Sequence, residues 1–298
     1  MARGRSESHF NLLGRRDGRM TRSGIRTATA FFFLLMWTAC GLAQADAAKV
    51  RVVSFNMGTH KQPFPTLEQV ARAVQETGGR VDVLLVQETP FAVKHHALAH
   101  ELGFEHFVSG RDHKPTTNRA IFSRTPLTNP VLIPVISFGP GSGAGALCAT
   151  TRIQDAEVLL CSVHLETIRE EMTPNEHLST GVILKYVKKE LFEENTRSRS
   201  VDTLIARISE LDAKRVIIGG DFNTFPLSKA IRKMNARFED AFWPSMAFFK
   251  GSYVDFPLFI KPRIDFIFHS PGMSARDCKV HKLTSGDHVP VSAVIMFE

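Results

Sequence analysis

Five short apolar runs in this chain each stop at, or run into, residues able to bind an ion or move a proton, and this constrains the fold more than any other feature. Val52-Val53-Ser54-Phe55 ends in Asn56, Val83-Leu84-Leu85-Val86-Gln87 ends in Glu88, and Val158-Leu159-Leu160-Cys161-Ser162-Val163 ends in His164. Nearer the C-terminus come Gly219-Gly220-Asp221-Phe222-Asn223 and Ser285-Gly286-Asp287-His288-Val289-Pro290, each beside a further apolar run. Runs of this length, rich in β-branched residues, read as strands, and polar residues at strand ends collect at a sheet rim, where binding and chemistry occur.

Between these runs the spacing changes to that of helices. Thr66–Thr77 places Leu67, Val70, Ala71 and Val74 on one face, and Thr66 with Gln69 forms a capping-box signature. Further helices are predicted over Val93–Leu102, Val182–Phe192, Ser200–Leu211 and Leu227–Met234. Strands are predicted over Val50–Asn56, Val81–Gln87, Ala120–Ser123, Ala146–Ile153, Val158–His164, Val216–Gly220, Ile264–His269 and Val291–Met296. The run Val81–Gln87 is almost continuously apolar, as a strand covered on both faces would be. Helix Val182–Phe192 is expected to show Lys185, Lys188, Lys189 and Glu190 on a solvated outer face. Mixed strands with interspersed helices predict an α/β fold.

The first 48 residues are set apart from that fold. Arg15, Arg16, Arg19, Arg22 and Arg26 precede an apolar block, Ala28–Trp37, and then Ala43-Gln44-Ala45. A basic start, a short apolar core and an Ala-x-Ala site describe a secretory signal peptide, cleaved after Ala45 or Ala47, with Met20 an alternative start. An uncleaved anchor, or lipidation at Cys40, is the alternative. This leader holds 7 of the 37 Lys and Arg and 3 of the 30 Asp and Glu, so a formal net charge of +7 falls to +3 in the remainder. The basic balance is therefore partly a targeting feature and does not by itself point to nucleic acid. About 250 residues remain, suited to one catalytic-size domain over 49–298 with no transmembrane domain and an expected monomeric state. Of four cysteines, Cys148 and Cys161 flank the turn Gln154-Asp155-Ala156-Glu157, placed either to bridge or to remain buried thiols.

Seven short segments, in order, resemble the endonuclease/exonuclease/phosphatase superfamily of metal-dependent phosphoesterases. They are Ser54-Phe55-Asn56, Gln87-Glu88-Thr89, Asn118-Arg119-Ala120-Ile121-Phe122-Ser123-Arg124, Ser162-Val163-His164-Leu165, Gly220-Asp221-Phe222-Asn223, Arg263-Ile264-Asp265-Phe266-Ile267 and Gly286-Asp287-His288-Val289-Pro290. The resemblance implies a four-layer α/β sandwich, two mixed sheets face to face with helices outside. It also implies Mg²⁺, with Mn²⁺ expected to substitute, held by Asn56, Glu88 and Asp287. Asp265 and His288 would form an orienting carboxylate and its imidazole, Asp221 would position the attacking water, and Asn223 and His164 would meet the phosphoryl and leaving oxygens. Asn118 and Arg119 would bind a substrate phosphate.

Each residue alone has an ordinary reading: Asp-x-Asn after a strand is commonly a turn or helix cap, and Arg119 a surface arginine. His96 and His100 have the i,i+4 spacing of a zinc pair but no third ligand in the sequence. The aromatic segment Ala241–Phe249 reads as core beneath a loop, or else as a rim that stacks on bases or enters a lipid surface. The expected activity is phosphoester hydrolysis, with nucleic acid leading as substrate and a phospholipid, sphingomyelin or phosphoinositide head group as the alternative. A binding module that has lost catalysis is the competing class. It would be expected to lack one of Asn56, Glu88, His164, Asp221, Asn223, Asp265, Asp287 and His288, all of which are present.

Overall fold

Strands that are apolar on both faces need cover on both, and the chain supplies it with two sheets and two helical layers. The computed structural model describes residues 48–58, 63–137, 143–168, 180–243, 245–256, 261–282 and 286–297; the leader, with its cleavage sites and Cys40, lies outside them. Residues 47–298 form one compact unit. The first sheet contains β1 (Lys49–Asn56), β2 (Val83–Gln87), β3 (His106–Ser109), β4 (Ala120–Ser123), β11 (Met273–Val280) and β12 (Val291–Phe297), in the order β11-β12-β1-β2-β4-β3. The second contains β5 (Leu127–Ile133), β6 (Gly145–Ile153), β7 (Ala156–His164), β8 (Val216–Asp221), β9 (Glu239–Asp240) and β10 (Asp265–His269), in the order β5-β6-β7-β8-β10-β9. Each sheet has one parallel pair at its centre, β1 with β2 and β7 with β8, flanked by antiparallel neighbours.

Alternation divides the core into three layers. Val52, Val83, Leu85, Leu147, Leu160, Ile217, Ile267 and Val291 fill the space between the sheets. Their neighbours Val53, Phe55, Leu84 and Val86 face outward against α1 (Leu67–Gln75) and α2 (His95–Leu102). On the other side Cys161, Val163, Ile218 and Phe266 pack against Val201, Leu204 and Ile208 of α4 (Thr196–Glu210) and Ile231 and Met234 of α5 (Lys229–Asn235). Each fully buried aliphatic side chain contributes about 1.5–3 kcal/mol relative to exposure. The four-layer α/β sandwich is the observed architecture. Gly219 lets the central pairs approach: a Cβ there would lie 2.7 Å from Leu85 Cδ1 and 3.1 Å from Ser54 Cβ.

Thr66 caps α1 with the predicted capping box. Helix α4 starts four residues before its predicted position because Asn195 is an N-cap whose Oδ1 accepts from Ser198 N (2.8 Å) while Ser198 Oγ accepts from Asn195 N (2.9 Å). Strands β3, β5, β9 and β11 were not predicted. Two of them are edges whose pattern is broken: β5 carries Asn129-Pro130 at a register shift between Thr128 and Val131, and β11 is polar along Arg276–Lys279 at another shift. One expectation is corrected. On α3 (Thr180–Phe192), Lys185 and Lys188 are exposed, but Glu190 is fully buried rather than on the outer face. It follows Ile183 and Tyr186 at i+7 and i+4, on the helix's buried stripe.

The aromatic segment is mostly core, since Phe242 and Phe248 are buried against Arg263, while Trp243 is exposed. Cys148 and Cys161 are directly opposed in the β6–β7 ladder and joined by a disulfide. Among the described residues no helix is long and apolar enough to cross a membrane.

Candidate active site

A parallel pair delivers both C-terminal strand ends to the same edge, and the two central pairs face one another. Asn56 is paired with Gln87, so Asn56 and Glu88 leave the first sheet together. His164 is paired with Asp221, and Asp221 in turn with Asp265 on the antiparallel β10. Carboxylates, an amide and an imidazole from the ends of five strands therefore meet at one rim, and His288, before β12, adds a second imidazole.

Asn56 closes the gap between the sheets. Buried completely, it donates from Nδ2 to Glu88 Oε1 (3.1 Å) and to Asp221 Oδ2 (2.9 Å). Its amide oxygen, the atom assigned to a cation by the resemblance, accepts from Gly58 N (2.9 Å). Gly58 has φ +65, and a Cβ there would lie 2.4 Å from Asp287 Oδ1, so only glycine fits between Asn56 and Asp287. Asp287 Oδ1 is buried without a hydrogen-bond partner. Glu88 holds a left-handed φ of +48, costly for a residue with a side chain and characteristic of a constrained site.

The imidazoles surround Asp221. His164 Nε2 lies 3.3 Å from Glu88 Oε1 and 3.8 Å from Asp221 Oδ2, and His288 Nε2 lies 3.7 Å from Asp221 Oδ2. His288 Nδ1 donates to Asp265 Oδ2 at 2.9 Å, which fixes its tautomer and ring plane. Asp221 Oδ1 accepts from Asn223 N, and Asn223 Nδ2 donates to Leu165 O, both at 2.8 Å. The side chain of His164 is 13% exposed and that of Asp221 1%, so the solvent-facing side of the pair is His164.

Burial pushes the Asp221 carboxyl up to about 6, and Asp265 adds to this against the pull of His288, His164 and Asn223 N–H. Burial alone would lower His288, but the charge of Asp265 and Asp221, its hydrogen bond to Asp265 and the charge of Asp287 raise it to about 10. The raised value favours the protonated imidazole at neutral pH in the metal-free site.

Among the described residues, two groups have ligand atoms close enough together to hold a cation. Ligand atoms of Glu88, His164 and Asp221 lie within 4.8 Å of one another, as do those of Asp221, Asp265 and His288. Asp287 belongs to neither. Asn118 and Arg119 are partly engaged elsewhere, with Arg119 Nε buried and without a hydrogen-bond partner. Asn118 O accepts from Thr89 N (3.0 Å), and its Oδ1 accepts from Arg111 Nε (3.3 Å). Arg119 is buried rather than at the surface, donates from Nη1 to Gly143 O, and is lowered by burial to about 10. It lies against Gly145, the ladder partner of His164. His96 and His100 fall in neither group.

Three supporting residues were missed. Arg111 donates to Thr89 O (2.5 Å), Pro90 O (3.1 Å) and Val93 O (3.2 Å), holding the loop that Glu88 opens. Ser252 Oγ accepts from Ile264 N and Asp265 N, each at 3.0 Å, and Ser252 O accepts from Val289 N (2.9 Å), joining the strand of Asp265 to the loop of His288. Glu190 is the third; its place on an apolar stripe was the signal available.

Residues 53–288 match the model of the Endonuclease/Exonuclease/phosphatase family. Sequence comparison with curated proteins gives no match. Among solved structures, the endonuclease/exonuclease/phosphatase from Bacteroides vulgatus is 18% identical over 84% of this chain and 99% of its own, with TM-score 0.61. The human nocturnin catalytic domain is 16% identical over 85% and 96%, with TM-score 0.57. Sphingomyelinase C from Streptomyces griseocarneus is 17% identical over 83% and 99%, with TM-score 0.52. At these identities the likeness is one of fold.

Proposed function

The chain belongs to the endonuclease/exonuclease/phosphatase family, and on that premise we propose that it is an exported, divalent-metal-dependent phosphoesterase that cleaves phosphodiesters by in-line attack of water. The observation that carries this reading is Asn56, whose one amide joins Glu88 of the first sheet to Asp221 of the second beside both imidazoles.

The donor set fits a hard cation: clustered carboxylates, with Asp287 Oδ1 buried and unpaired nearby. Glu88 and Asp221 would hold Mg²⁺, or Mn²⁺ in its place, with Asn56 and His164 around them. Such an ion, when bound, offsets negative charge on the phosphoryl group. Asp221, fixed through Oδ1 by Asn223 N, orients the attacking water and takes its proton. His288, protonated and anchored by Asp265, supplies positive charge beside Asp221 as negative charge builds on the phosphoryl oxygens. Asn223 keeps one amide hydrogen for those oxygens, and His164, the more exposed imidazole, serves the leaving oxygen.

Nucleic acid leads as substrate because Phe91, three residues past Glu88, is exposed with the Arg111 guanidinium 4.9 Å from its ring centroid, a cation and a π-face at the rim. Export rests on the leader sequence and is supported by the Cys148–Cys161 disulfide, which belongs to oxidising compartments.

The test is hydrolysis of bis(p-nitrophenyl) phosphate after chelation and with Mg²⁺ or Mn²⁺ restored, alongside plasmid DNA, RNA, sphingomyelin, phosphoinositides and monoesters. Metal-dependent turnover is expected, with at least about a hundredfold loss in Asp221→Asn. Because the new amide can accept from only one of Asn56 Nδ2 and Asn223 N, the fold of that variant is checked by circular dichroism before its turnover is read. No turnover on any ester would leave the binding-module reading; cleavage of a lipid with plasmid untouched would replace the nuclease reading.

A further inference from the structure

The helices after β7 carry a fully buried ion pair that lies one layer away from the reacting groups. Glu190 on α3 and Arg197 on α4 expose nothing to solvent. Arg197 donates from Nε (3.1 Å) and Nη2 (2.5 Å) to Glu190 Oε1, which also accepts from Asn195 Nδ2 (2.8 Å). Two charges withdrawn from water lose hydration that their attraction barely returns, so such a pair is a poor stabiliser, and its use has to be sought in the geometry it fixes.

Its remaining bonds show which geometry. Arg197 Nη1 donates to Glu166 O (3.1 Å), two residues past His164. Thr224 Oγ1, next to Asn223, donates to Glu190 Oε2 (2.5 Å). Between these two attachment points Asn223 Nδ2 donates to Leu165 O (2.8 Å). The ion pair therefore grips both rim loops, each within two residues of a group placed against the substrate. We infer that Glu190 and Arg197 are positioning residues that set the spacing of His164 and Asn223, and through it the alignment of the phosphoryl group. The inference rests on the phosphoesterase reading of that site.

Removing one partner strands the other's charge in the core and can unfold the protein, so the informative variant is Glu190→Gln/Arg197→Met. It removes both charges, and the new amide can still serve Asn195 and Thr224. It is expected to melt cooperatively, with kcat on bis(p-nitrophenyl) phosphate reduced about 10- to 100-fold and KM changed by less than about threefold. Arg197→Lys keeps the charge but not the fork that reaches both Glu190 and Glu166 O, and should recover only part of the loss. Independently of turnover, the side-chain amide protons of Asn223 should shift in NMR spectra toward those of a free amide. A folded double variant with kcat within about twofold of wild type and an unshifted Asn223 amide would overturn the inference. Should the double variant fail to fold, Thr224→Val decides, because it leaves the ion pair intact and cuts only its tie to the Asn223 loop. A roughly tenfold fall in kcat supports positioning, and wild-type kcat refutes it. If the wild type turns over no ester at all, the phosphoesterase reading fails and the Asn223 amide shift alone judges the positioning role.

Discussion

Replacing Asp265 with Asn keeps an acceptor for His288 Nδ1–H and removes the nearest negative charge, so its effect is read in the pH dependence of stability. His288, ordinarily at 6.5, is held at about 10 in the folded protein, where it is 5% exposed. Between those values the folded protein keeps a proton that the unfolded chain releases. The stability this supplies is complete below pH 6.5 and is lost as pH rises through 10. At ~1.4 kcal/mol per unit the whole shift is worth roughly 5 kcal/mol, of which roughly 3 kcal/mol disappears between pH 6.5 and 9. Asp221, raised from 3.8 to about 6, loses its own contribution across that lower interval and leaves the window above 6.5 clear. Asp265 is first among the charges that raise His288, and its Oδ2 accepts from His288 Nδ1. Its neutralisation should therefore flatten the wild-type decline by about 2 kcal/mol over pH 6.5–9. Urea unfolding followed by circular dichroism at several pH values, with chelator present, measures this, and the difference between the two proteins cancels the lysines and the free thiol Cys278, which burial pushes up to about 12. If Asp265→Asn and wild type decline in parallel, the Asp265–His288 coupling described above is wrong.

Phe222 stands between Asp221 and Asn223 yet is fully buried, with ring centroids 5.5 Å from Phe266 and 5.3 Å from Phe268. Phe222→Ala should cost about 3–5 kcal/mol in urea unfolding and lower turnover as its two neighbours lose their anchor; a cost under 1 kcal/mol would deny that role. Removing the disulfide with Cys148→Ala/Cys161→Ala frees a sequence separation of 13 residues and should cost about 3 kcal/mol, with the added cavity making the loss larger. Unchanged stability in that variant would show that the crosslink adds nothing to the fold.

The layered fold was legible because burial on both faces leaves a direct trace. Val83 and Leu85 face the other sheet while Leu84 and Val86 face α1 and α2, and the run reads as uninterrupted apolar sequence. Edges leave no such trace. β11 alternates weakly because a register shift between Arg276 and Lys279 breaks its period, and Asn129-Pro130 in β5 reads as a turn although it is a bulge on an edge where proline's missing N–H is harmless. The rim residues were legible for a related reason: a strand that must stay apolar to its last turn makes a terminal Asn56, Glu88, His164 or Asp221 conspicuous.

What supports those residues was hidden because a side chain's role at the second remove depends on pairings between distant segments. Arg111 has no local signature, and its meaning comes only from the carbonyls of Thr89, Pro90 and Val93 that the fold brings around it. Ser252 looks like any loop serine until its oxygen is found accepting from Ile264 N and Asp265 N. Glu190 differs, because charge led to the outer face while spacing led inward, and spacing was right. A helix rotates as a rigid unit, so burying Ile183 and Tyr186 necessarily buries position 190, whatever occupies it. A charged residue on an apolar stripe therefore calls for a search for its partner. Here the partner, Arg197, lies only seven residues away, past the Asn195 cap that turns the chain from α3 into α4.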